Sequence, residues 1–98
     1  MFPANVEFER DPGVTYARWR VYTHLRLNVL SFIETRPVKH WALVHALRMS
    51  PNVAIDTLDW LVAEGYLLEH PRAHTRAPRS FSLVYSRANY PHDSKSAA

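Results

Sequence analysis

Ser50-Pro51-Asn52-Val53-Ala54-Ile55-Asp56-Thr57-Leu58-Asp59-Trp60-Leu61-Val62-Ala63-Glu64-Gly65 decides how this chain is read. Its first two residues are a helix-start signal. The serine hydroxyl can accept a bond from a free backbone N–H, and proline loses nothing at the first helical position. Ala54, Leu58 and Leu61 then recur at steps of four and three, which places them on one buried stripe with Trp60 on its flank. Gly65 is a suitable stop, because the residue after a helix often takes a left-handed conformation. The segment predicts a helix from Pro51 to about Glu64, with Leu58 and Leu61 in the core. Its outward positions are Asn52, Val53, Ile55, Asp56 and Asp59, with Thr57 at their edge.

Upstream, Tyr16, Trp19, Tyr22, Leu25 or Arg26, Val29 or Leu30, and Ile33 continue the helical period from Val14. This helix should end near Thr35, since Pro37 disfavours helix at Arg36. Pro37 is then expected to open a second helix, with Trp41, Leu43 or Val44, and Leu47 on its apolar side, ending near Arg48–Met49. Trp19, Trp41 and Trp60 are all expected in the core. Residues 1–13, punctuated by Pro3, Pro12 and Gly13, read as an extended lead-in.

Downstream the pattern shortens. Tyr66-Leu67-Leu68-Glu69-His70 is a short strand. Ser80-Phe81-Ser82-Leu83-Val84-Tyr85 alternates, with Phe81, Leu83 and Tyr85 on one face. The polar segment between them carries Arg72, His74, Arg76 and Arg79 and no acid, so the two strands predict a hairpin with a basic tip. The domain is expected to span 14–86, with a flexible tail over 87–98. The fold class is α+β, three helices followed by a two-stranded β-hairpin.

Composition narrows the chemistry. The chain has 98 residues and a formal net charge of +3, with no cysteine and only 2 glycines. Disulfides, thiolate metal sites and cysteine nucleophiles are excluded, and a glycine-rich phosphate loop cannot be built. No apolar run approaches a membrane span, which gives a cytoplasmic expectation. The six histidines form no tight ligand cluster. No serine and histidine share a spacing with an acid that suggests nucleophilic catalysis. Neither a metal, nor a cofactor, nor an enzyme is expected.

Charge is segregated along the chain. Residues 14–48 sum to +5, residues 49–71 to −4 and residues 72–87 to +4. Ten of the twelve basic residues are arginine. Arginine grips phosphate and guanine through a planar fork, although a GC-rich genome gives the same bias. Arg18 and Arg20 read as a solvated helix face.

Leu43-Val44-His45-Ala46-Leu47-Arg48-Met49-Ser50 resembles the second helix and turn of the winged helix-turn-helix family, usually Leu-Ala-x-x-Leu-Gly-hydrophobic-Ser. Ala54-x-x-x-Leu58-x-x-Leu61-x-x-x-Gly65-Tyr66-Leu67 is similar to that family's recognition helix and its exit. The resemblance covers about Tyr16 to Tyr85 and points to the small prokaryotic, archaeal or phage-type transcription regulators. It implies sequence-specific binding of double-stranded DNA, repressor-like and as a homodimer through the aromatic first helix and the segment before it. Helix 51–64 would enter the major groove, and the arginine-rich wing would lie on the backbone or in the minor groove. The residues so implicated are Lys39, His40, Arg48, Ser50, Asn52, Val53, Ile55, Asp56, Thr57, Arg72, His74, Arg76 and Arg79. The chain departs from the family at Arg48, where a turn glycine is usual, at Ala54, where a larger residue is usual, and at Ile55-Asp56, where hydroxyl and cationic residues are usual. The recognition helix carries no cation. Its acidic and apolar outward face also suits a protein partner, so the alternative is an adaptor or inhibitor of the transcription machinery.

Overall fold

The structure, a computed structural model, describes residues 2–89. It is an α+β arrangement of α1 (Pro3–Arg10), α2 (Tyr16–Asn28), β1 (Arg36–Pro37), α3 (His40–Leu47), α4 (Pro51–Ala63), β2 (Leu67–His70) and β3 (Ser80–Leu83), with a final 3₁₀ turn at Arg87–Asn89. The strands form one antiparallel sheet in the order β1-β3-β2.

α4 follows its sequence closely. The Ser50 side chain accepts from the Val53 N–H at 3.2 Å, and Pro51 opens the helix. Ala54, Leu58 and Leu61 are buried to 1% exposure or less. Gly65 takes φ 82, and the Tyr66 N–H bonds back to the Leu61 carbonyl at 2.9 Å, which turns the chain into β2. In the turn before α4, Arg48 adopts φ 52, the left-handed conformation for which a glycine is the easier residue.

Several expectations are corrected. Residues 3–10 are helical rather than extended: proline opens α1, and Ala4 and Phe8, four apart, both face the core at 0% exposure. The Phe8 ring lies 4.2 Å from Tyr22 and edge-on to Tyr66 at 5.1 Å. A helix of two turns has too little length to announce itself by period, and packing rather than propensity holds it.

α2 ends at Asn28, short of Thr35. The Leu30 N–H bonds to the Leu25 carbonyl at 2.8 Å, folding Leu30 into the core and leaving Ile33 93% exposed. The chain then runs beside β3, where the Leu83 N–H reaches the Ser31 carbonyl at 2.8 Å.

Pro37 does not open the next helix. Arg36 and Pro37 form an outer strand paired with Phe81 and Ser80 of β3, and the Val38 N–H donates to the Arg79 carbonyl at 2.9 Å. Proline lacks a donor and is therefore tolerated at a sheet edge. α3 begins only at His40.

Lastly, Trp19 and Trp41 are outside the core, 47% and 54% exposed. Only Trp60 is shielded, stacked on Tyr66 at 5.8 Å with the Arg18 guanidinium 4.3 Å above its ring. Arg18 therefore covers an aromatic face rather than standing in solvent, and Arg20 donates to the Leu47 carbonyl at the end of α3.

β2 and β3 pair as expected, from Leu67 opposite Leu83 to His70 opposite Ser80. Phe81 and Leu83 are buried, whereas Tyr85 lies beyond the strand, exposed and against Phe32. Of the tail expected over 87–98, Arg87 is tied back by its Nε to the Glu64 carbonyl at 2.8 Å. Residues 90–98 lie outside the described residues. Among the described residues no helix is long and apolar enough to cross a membrane.

Candidate nucleic-acid interface

Three elements meet on one side of the molecule: the start of α3, the middle of α4 and the β2–β3 loop. They enclose a cleft of about 490 Å³. Lys39 and His40 come from the start of α3, Ile55 from α4, and Arg72, Arg76 and Arg79 from the loop. Six of the residues expected from sequence thus line one cleft, and no carboxylate lines it with them. α3 brings a further positive element. Its first turn contains no acid, and no side chain caps its N-terminal N–H groups.

The loop is ordered by its own bonds. Arg72 Nη1 donates to the Thr75 carbonyl at 3.2 Å, and the Ala77 N–H donates to the His74 carbonyl at 3.0 Å. Both leave the Arg72 guanidinium and the His74 ring exposed.

Arg79 plays a different part from the one its position in the basic segment suggests. Its Nε and Nη2 donate to Glu69 Oε2 and Oε1 at 2.9 and 2.8 Å, and its Nη1 sits 2.9 Å from Asp59 Oδ1. The hydrogen bonds from Arg79 hold the Glu69 carboxyl below its usual range, and the same bonds hold the proton on Arg79. The charge of Arg79 is thus spent within the molecule, tying the hairpin base to α4. The absence of acid from the loop sequence does not leave this arginine unpaired. The acids lie in neighbouring elements, where the loop sequence does not display them.

On α4, Asn52, Val53 and Asp56 are exposed, and Ser50 is occupied in capping the helix. Thr57 is 4% exposed and cannot meet a partner. It stands three after Ala54 and four before Leu61, which puts it on the buried stripe. Arg48 and His74 are exposed but do not line the cleft. With Asp59 paired, Asp56 is the acid that α4 leaves at this surface among its outward residues.

Trp41 was not expected here, yet it borders the cleft beside His40, with ring centroids 5.1 Å apart. The sequence offered either Leu43 or Val44 as the core residue of this turn. Trp41 and Leu43 are two residues apart, so they cannot share a helix face, and Leu43 is the buried one.

Among the described residues no group of three or more His, Cys, Asp or Glu is placed to hold a metal ion. No family model matches this chain, and no curated protein or solved structure matches it either.

Proposed function

We propose that the chain is a winged helix-turn-helix domain that binds double-stranded DNA sequence-specifically, as a small repressor-like regulator of transcription acting in the cytoplasm. In this reading α2, α3 and α4 are the three helices, α4 is the recognition helix and the β2–β3 hairpin is the wing. One observation carries it: Lys39, His40, Arg72 and Arg76, distant in sequence, share a cleft beside α4 with no carboxylate in its lining. Phosphate contacts position a protein on a duplex and base contacts specify the site, so a helix without cations can serve as reader between cationic arms. Asn52 and Asp56 are the polar candidates for base edges, and Val53 for a thymine methyl. In this reading occupancy of the site is itself the regulatory act. A homodimer would supply two half-sites. Tyr16, Trp19 and Leu27, exposed on one side of α2, are the proposed contact.

A second reading rests on a different observation. The exposed start of α4 offers Val53, 38% exposed, and Asp56, with no cation on the helix. That surface suits a protein partner, and the chain would then be an adaptor or inhibitor of the transcription machinery.

Selection of bound sequences from a random duplex pool, repeated at about 50 and 200 mM salt, separates the two. The DNA reading expects an enriched site and an affinity that falls steeply with salt. Enrichment of no sequence overturns it.

A further inference from the structure

We propose that the cleft between α3, α4 and the β2–β3 loop is a binding site for a small molecule with an anionic head on a planar apolar body, of the aryl carboxylate class. Its volume of about 490 Å³ falls in the range that holds small organic ligands. The floor is apolar. Leu58 and Val38, both in the lining, are 1% and 5% exposed, and Ile55 and Pro78 extend that surface. A sugar-phosphate backbone gains nothing from such a floor, whereas an apolar body removes from water the part of it that is still accessible, at Ile55 and Pro78.

The rim is cationic, with Lys39, Arg72 and Arg76 at its edge. Arg79 is already matched by Glu69 and Asp59, so the other three cations meet the ligand's head. Trp41, 54% exposed, supplies a flat ring at the border, where an aromatic body can stack. The occupant would lie on the face that a duplex covers in the proposed function. Ligand and duplex therefore exclude each other, and the DNA affinity becomes responsive to the ligand.

The test uses the full chain without DNA, followed by ¹H–¹⁵N spectroscopy during titration with 2-naphthoate. Two comparison probes are 2-naphthalenemethanol, which has the body without the charge, and inorganic phosphate, which has charge without the body. Naphthoate is expected to shift the Trp41 indole N–H and the Ile55 and Ala77 amides to saturation. The alcohol is expected to bind at least about fivefold more weakly, the effect of one close charge contact in water. Arg76→Gln and Ile55→Asn should each weaken naphthoate by about the same factor, while unshifted resonances elsewhere report an intact fold. Equal binding of the alcohol, shifts confined to other surfaces, or saturation of the same resonances by phosphate alone overturns the proposal. The last result leaves DNA binding standing, with the cleft as a phosphate seat. Saturable naphthoate binding by a chain that enriches no DNA sequence supports this site and removes the DNA reading.

Discussion

Arg79 and Glu69 face each other at the base of the β2–β3 hairpin as a two-pronged pair, Nε to Oε2 at 2.9 Å and Nη2 to Oε1 at 2.8 Å. The guanidinium's remaining nitrogen reaches Asp59 on α4, so one side chain holds the hairpin's base against the helix beside it. Such a fork is among the stronger polar contacts, because its two bonds are parallel and charge-assisted. Arg79→Ala is expected to destabilise the fold by about 1–2 kcal/mol, a figure kept low because Asp59 is largely exposed. In DNA titrations the same variant should leave the salt dependence nearly unchanged. Arg72→Ala and Arg76→Ala should behave oppositely, each lowering the slope of affinity against salt by about 0.9 with little change in melting. A slope reduced as much by Arg79→Ala as by Arg76→Ala would show that Arg79 reaches phosphate.

Acid should loosen the molecule at two ties. The hydrogen bond from Tyr66, 2.6 Å to Asp11 Oδ2, holds the Asp11 carboxyl below its ordinary value, as the Arg79 hydrogen bonds do for Glu69. The ordinary values are 3.8 for Asp11 and 4.5 for Glu69. Below them the unfolded chain binds more protons than the folded one, so the stability these groups contribute is present above that window and lost as pH falls through it. Thermal melting from pH 7 to about pH 3 should show this decline. The variant carrying Asp11→Asn and Glu69→Gln should be less stable at pH 7 and decline less steeply. Parallel curves for the two proteins would show that neither carboxylate is responsible.

The core depends on Leu58 and Leu61, 1% and 0% exposed. Truncation to alanine at either should cost about 2–5 kcal/mol, the transfer free energy of the lost atoms plus that of the cavity left behind. A melting temperature within a degree or two of wild type would show that the neighbouring side chains close the space.

Neighbouring positions on α4 should separate cleanly. Asp56→Ala and Asn52→Ala, at exposed residues, should leave melting nearly unchanged. Each should change sequence preference by about 1–3 kcal/mol at one base pair. Thr57→Ala, at a buried residue, should change stability and leave the preferred sequence as it was. If Asn52 and Asp56 variants keep the wild-type preference while Val53→Asp abolishes capture of a protein partner, α4 presents a protein-binding face.

α4 was legible from Ser50 to Gly65 because its signals are local: a cap, a proline, an apolar step of four and three, and a glycine whose φ of 82 few other residues accept readily. The β2–β3 hairpin was legible for the same reason, as was the basic loop that contributes Arg72 and Arg76 to the cleft. The sequence by itself therefore determined the α+β class, the stripe of Ala54, Leu58 and Leu61, and most of the residues that meet beside α4. What it left to the tertiary structure concerns residues whose partners are far away. α1 is too short to be stable alone and depends on Phe8 packing against Tyr22 and Tyr66. Arg36-Pro37 became a strand because β3 was there to pair with it. Trp41 turned outward because Leu43, two residues on, took the core side. Arg79 looked like a free cation among cations until the fold brought Glu69 and Asp59 around it. Local sequence fixes backbone preference and periodicity, whereas charge pairing and edge-strand formation are settled by neighbours that only chain reversal supplies.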